Sequence, residues 1–135
     1  MRYPVDYQKD GEGYLVTFPD IPEALTGGDT LEEAKALALD ALVTAFEFYF
    51  EDGRLVPKPS GVEGEYVEVP PSIESKILLL NALVESGISY AELARRMGTQ
   101  PQSVQRLINL HHNTKIDTIY LALAAIGKEL RMEVA

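Results

Sequence analysis

The stretch from Ser89 to Ile108 restricts what this chain can fold into more than any other segment. Ser89 and Glu92 have capping-box spacing, which predicts a helix starting just after Ser89. Leu93 and Met97, four apart, share one buried face, and Ala94 is small where a crossing helix needs close approach. Gly98 takes the left-handed conformation that ends a helix without steric cost. Pro101 suits the first turn of a second helix, where its missing amide proton has no partner to lose. On that helix Val104, Leu107 and Ile108 face inward, leaving Gln102, Ser103, Gln105 and Arg106 on the outer faces. Two short helices joined by a tight turn, the second polar outside, make a helix-turn-helix, which lays its second helix in a DNA major groove. There Gln102 is suited to adenine and Arg106 to guanine, while Arg95 on the first helix is a candidate backbone contact. The other reading of the same pattern is a helical hairpin that binds protein.

These residues resemble the Cro/repressor-type helix-turn-helix family: Ala94, Gly98, Val104 and Leu107 match its small, glycine and apolar positions without a gap. One position departs from the pattern. Pro101 stands where such repressors often carry glutamine, so the resemblance implies that one familiar base contact is missing.

A net charge of −9 over 135 residues looks wrong for a DNA binder until the chain is divided. Residues 1–70 hold 15 acidic and 5 basic side chains, and residues 71–135 hold 6 and 7. The acidity belongs to the first half, which should repel phosphate and attract a basic partner, while the second half can approach DNA. Two domains are expected, 1–70 and 71–135. The absence of cysteine excludes disulfides and thiolate metal sites and fits a reducing cytosol. No apolar run approaches the ~20 residues of a bilayer span, and the start lacks a signal-peptide layout, so a cytoplasmic protein without a membrane is expected.

In the first half, Arg2 to Tyr7 alternates in part and predicts a strand; Lys9 to Gly13 is turn chemistry, and Tyr14 to Phe18 returns. Pro19 and Pro22 stop that strand. Glu23 to Thr26 is a short third strand, closed by Gly27, Gly28 and Asp29. Thr30 and Glu33 open a long helix whose stripe of Leu31, Ala34, Ala38, Leu42, Ala45 and Tyr49 faces a sheet, with Gly53 ending it. Tyr66 to Val69 alternates as a last strand, so the order is βββαβ.

The run Gly13-Tyr14-Leu15-Val16-Thr17-Phe18-Pro19-Asp20-Ile21-Pro22, with Gly28-Asp29-Thr30, Glu33-Ala34 and the later Ala45 to Asp52 segment, resembles the HicB antitoxin family. With the helix-turn-helix, the likeness covers nearly the whole chain. It implies a truncated ribonuclease-H-like first domain that binds and silences a HicA-like toxin, a small basic mRNA-cleaving nuclease. Asp20, Glu23, Glu47, Glu51 and Asp52 are the candidate toxin contacts.

Ribonuclease-H chemistry needs carboxylates converging on paired metal ions. Asp6, Asp20, Glu23, Asp29 and Asp40 are the candidates, but no spacing gathers them, and turn or cap roles account for Asp20 and Asp29. His111 and His112 are adjacent and point apart. No phosphate loop or Ser-His-Asp signature occurs. A non-enzyme without cofactor or metal is expected.

In the second half, Pro70-Pro71 makes a stiff break and Ser72 caps a heavily buried helix carrying Ile73, Ile77, Leu79, Leu80, Leu83 and Val84. After the two motif helices, Thr114 is placed to cap a further helix whose buried side is Ile116, Ile119, Tyr120, Leu123 and Ile126. By the repressor resemblance, Asn113, Thr114 and Lys115 are phosphate contacts. Leu130 to Val134 alternates and predicts a short C-terminal strand, whose edge would pair with a second chain in a symmetric dimer. The expected fold is thus α+β: a βββαβ domain, then an all-α helix-turn-helix domain ending in a strand. The expected function is a toxin-neutralising antitoxin that represses its own operon as a homodimer, higher oligomers being left open. A regulator with a small-molecule-sensing first domain and a metal-dependent ribonuclease are the alternatives.

Overall fold

The computed structural model describes residues 1–61 and 63–135. The chain divides into two compact units, the first made of residues 1–51 and 56–71, the second of 52–55 and 72–135. It is an α+β protein, with its strands in the first unit and short helices in the second.

The first unit runs β1 (Arg2–Pro4), β2 (Asp6–Asp10), β3 (Gly13–Thr17), β4 (Leu25–Gly28), α1 (Leu31–Asp52) and β5 (Tyr66–Glu68). The strand expected over Arg2 to Tyr7 is divided at Val5, because the chain changes neighbour there. Before it, β1 pairs antiparallel with β5; after it, β2 pairs with β3 in a sheet of order β2-β3-β4. Gly11 (φ 60°) occupies the first of two turn positions between β2 and β3, where a right-twisting hairpin needs a positive φ.

The third strand lies two residues later than expected, and its glycines belong inside it. A Cβ on Gly27 would come within 2.9 Å of the Tyr14 carbonyl oxygen, and one on Gly28 within 2.6 Å of the Ala34 amide nitrogen. These glycines therefore permit close backbone approach rather than closing the strand. Thr30 Oγ1 accepts from the Glu33 amide at 3.1 Å and starts α1, as its spacing predicts. Ala34, Ala38, Leu42, Ala45 and Tyr49 are buried along α1, joined by Val43, Phe46 and Phe50. Leu31, the expected head of that stripe, stays exposed because it stands in the first turn, beyond the core. Tyr3 and Phe46 meet with ring centroids 5.5 Å apart, and the Tyr3 hydroxyl donates to the Pro57 carbonyl at 2.7 Å.

The second unit contains α2 (Pro71–Ser86), α3 (Tyr90–Met97), α4 (Pro101–Leu107) and α5 (Ile116–Ala125). Pro71 is itself the first helical residue of α2, so Ser72 lies inside the first turn and is not the cap. Leu79, Leu83, Leu93, Ala94, Val104, Leu107, Ile119, Ala122, Leu123 and Ile126 form one core. Ile116 and Tyr120, expected on the buried side of α5, are 42% and 48% exposed; Ala122 takes the inward position. Residues 128–135 form no strand. A strand draws its hydrogen bonds from a neighbour, and a single copy of this unit offers the tail none. Among the described residues no single helix is long and apolar enough to cross a membrane.

Candidate nucleic-acid interface

Local chemistry builds the two motif helices. Ser89 Oγ accepts from the Glu92 amide at 3.1 Å and caps α3. The Glu92 carboxylate does not return to the Ser89 amide as a full capping box would. It accepts instead from Arg95 Nε at 2.8 Å and from Arg96 Nε at 3.0 Å, with a further bond from Arg95 Nη2. These guanidinium bonds hold the Glu92 carboxyl down to about 2. Gly98 (φ 64°, ψ 35°) ends α3, its amide donating toward the Ala94 and Arg95 carbonyls, and the Thr99 amide donates to the Ala94 carbonyl at 3.0 Å. Pro101 then opens α4.

Val104 and Leu107 enter the core, which sets the rotation of α4. The outer side of the helix consequently carries Gln102, Gln105 and Arg106 in the open, while Ser103 is half-buried and Ile108 only partly covered. Arg95 is open to solvent yet shared with Glu92, so only part of its charge is free for a phosphate. Asn113 and Lys115 are exposed in the segment after α4. Thr114 is not the cap of α5: Lys115 holds that position with no side-chain bond, and the Thr114 hydroxyl is buried without a hydrogen-bond partner. The chain enters α5 one residue later than the threonine's cap chemistry suggests, and its hydroxyl makes no capping bond.

One residue of this unit escaped the sequence reading. Lys76, on α2, is only 2% exposed, and its ammonium donates to the carbonyls of Arg106 at 3.0 Å, Asn109 at 2.6 Å and His112 at 2.8 Å. Burial pulls its pKa down to about 8, which leaves it charged at neutral pH. Its signal was present: Lys76 stands three, four and seven residues before Leu79, Leu80 and Leu83, on the face they bury.

The acidic candidates of the first half of the sequence separate into distinct roles. Asp20 Oδ2 accepts from the Ser60 amide at 2.8 Å and its hydroxyl at 3.0 Å, tying down the segment after α1. Glu23 Oε1 accepts from the Tyr49 hydroxyl at 2.7 Å, and Asp52 from Arg54 Nε at 3.2 Å. Glu47 is half-buried and Glu51 exposed, one turn apart on α1. Beside them a shallow cleft between β4 and α1 is lined by Glu23, Leu25, Leu37, Asp40, Thr44 and Phe48. Leu25 and Phe48 are 62% and 50% exposed there, so two apolar side chains face water side by side with the acids. Among the described residues, no three histidine, aspartate or glutamate side chains come together as a metal site.

A polar outer helix face held by a capped turn, following an acidic mixed domain along the chain, defines a helix-turn-helix protein of two parts. The comparisons with known proteins agree. Residues 2–78 match the family model for the HicB-like antitoxin of bacterial toxin-antitoxin systems, and residues 79–132 match a helix-turn-helix model. The chain is 60% identical over 132 residues to antitoxin HicB 2 of Photorhabdus laumondii, covering 98% of this chain and 95% of that one. It is 54% identical to antitoxin HicB 1 of the same organism, covering 99% and 87%, and 55% identical to antitoxin HicB of Escherichia coli K12, covering 98% of each. The chain belongs to the HicB-like antitoxin family.

Proposed function

We propose that this protein neutralises a small, basic, HicA-like mRNA-cleaving toxin through its first domain, residues 1–70, and represses its own operon through its second, residues 71–135. The observation that carries the reading is the outward Gln102, Gln105 and Arg106 on α4, on a half of the chain whose acids and bases nearly balance, joined to a half that holds the acidity. Gln102 pairs with adenine and Arg106 with guanine, with Ser103 and Gln105 beside them. The Arg95, Asn113 and Lys115 side chains meet the phosphates, which position the helix; Thr114, its hydroxyl buried, takes part only through its backbone.

The first domain acts by occupying the toxin's RNA surface, without catalysis, cofactor or metal. Exposed Leu25, Leu37 and Phe48 supply an apolar footing, and Asp40, Glu47 and Glu51 supply charge opposite to the toxin's. Asp20, Glu23 and Asp52 are already engaged within the chain and contribute at the rim. The protein works in the cytoplasm as a homodimer. Tyr120, Leu121, Met132 and Val134, all open in a single copy, support assembly through the second domain, with two half-sites about one helical turn apart on DNA.

Co-expression with the product of the adjacent gene tests this. A small basic protein that is toxic alone, harmless with this chain and co-purifying with it is the expected result. A neighbour that neither binds nor poisons the cell overturns the antitoxin reading, and an unshifted promoter duplex overturns the repressor reading.

A further inference from the structure

Among the described residues, Lys76 alone is both charged and buried. An ammonium has three protons to give, and here three carbonyls receive them, from Arg106, Asn109 and His112, spaced three residues apart along the chain. The first belongs to the last turn of α4, where carbonyls have no partner within the helix and the helix dipole favours a cation. The other two belong to the irregular segment between α4 and α5. That segment's own bonds include the Asn109 amide to the Arg106 carbonyl at 3.3 Å, the His112 amide to the Asn109 carbonyl at 3.1 Å, and the His111 amide to Asn109 Oδ1 at 2.9 Å. Lys76 thus stands to this segment as a bound cation would, gathering its carbonyls around one charge.

Asn113, Thr114 and Lys115 follow directly. We infer that Lys76 is a positioning residue for DNA binding: its ammonium, buried under α4, sets where residues 113–115 lie relative to the base-reading side chains. It touches no DNA itself. The inference rests on the repressor reading above. Replacing Lys76 by an isosteric apolar chain takes the ammonium from all three carbonyls: Arg106 and Asn109 keep one backbone amide each, at 3.3 and 3.1 Å, and the His112 carbonyl regains a donor by turning the segment toward water. The phosphate contacts then leave their register with Gln102 and Arg106.

A merely structural role differs in a measurable way. A destabilised but correctly shaped protein loses active fraction while keeping the slope of log K against log salt. A protein with Lys115 displaced loses the slope of about one phosphate contact per protomer, ~0.9 for each protomer on the duplex. The experiment therefore measures full-chain wild type, Lys76→Met, Lys115→Ala and the double variant. Each is titrated from low to moderate salt on a duplex carrying the promoter of the protein's own operon and on a scrambled duplex. Folding is checked by circular dichroism. The expected result is that folded Lys76→Met and Lys115→Ala each lower the slope by ~0.9 per bound protomer, and that the double variant lowers it no further. Lys76→Gln, with two protons to donate, serves if the methionine variant does not fold, and should lose part of the slope. A folded variant with the wild-type slope overturns the inference alone. If neither variant folds, Lys76 is a folding residue and the inference is withdrawn. Wild type that binds neither duplex overturns the repressor reading as well.

Discussion

The Glu92 carboxylate lies 3.0 Å from Arg96 Nε, one turn along α3, and the same carboxylate also binds Arg95. A residue expected to complete the cap is instead the anchor of two arginines on α3. The folded-state pKa of Glu92, about 2, lies below its usual 4.5, so its contribution to stability is present above pH 4.5 and lost as the pH falls toward 2. Thermal melts between those values should show a steeper loss for wild type than for Glu92→Gln. Parallel curves for the two proteins would mean that the pair does nothing for folding.

Removing Glu92 also returns two positive charges to the surface. At neutral pH, Glu92→Gln should bind scrambled duplex more tightly than wild type and with a steeper salt dependence. Unchanged binding would place Arg95 and Arg96 away from the phosphates.

Gly98 carries the turn between the motif helices at φ 64°, and a Cβ there meets nothing within 4 Å. The cost of Gly98→Ala is therefore backbone strain alone, about 1–2 kcal/mol. Gly98→Asn should cost less, since asparagine tolerates this conformation. Urea unfolding measures both, and equal losses would contradict the strain argument.

Arg106 and Lys115 should fail in different ways. Arg106→Ala is expected to cost about 1–3 kcal/mol on the operator and to relax specificity at one base. Lys115→Ala should weaken operator and random DNA alike. Binding-site selection with each variant separates them, and a uniform loss for Arg106 would make it a phosphate contact.

Phe48 is half exposed beside Leu25 and Leu37, so Phe48→Ser should leave the melting temperature nearly unchanged. Its effect should fall on the toxin, with faster dissociation of the co-purified partner. Retention of full toxin affinity would move the docking surface off the cleft between β4 and α1.

How much was legible follows the range of the interactions. The caps at Ser89 and Thr30, the stop at Gly98 and the start at Pro101 are settled by neighbours within four residues, and the structure has them where the spacing puts them. Where a choice depended on distant backbone, the sequence could be read wrongly. Gly27 and Gly28 look like a turn until Tyr14 and Ala34 are seen pressed against them, and Thr114 looks like a cap until α5 is seen to start at Lys115.

By itself, then, the sequence determined the motif helices, the charge division and the family likeness, since these live in local spacing and composition. Tertiary structure alone decided that β1 and β2 take different partners, that the tail is no strand in a single copy, and that Lys76 turns inward. Each depends on whether a remote group supplies a hydrogen bond. The helix-turn-helix could be recognised from twenty consecutive residues. The lysine beneath it became visible only when three carbonyls, at least thirty residues away along the chain, were found around its ammonium.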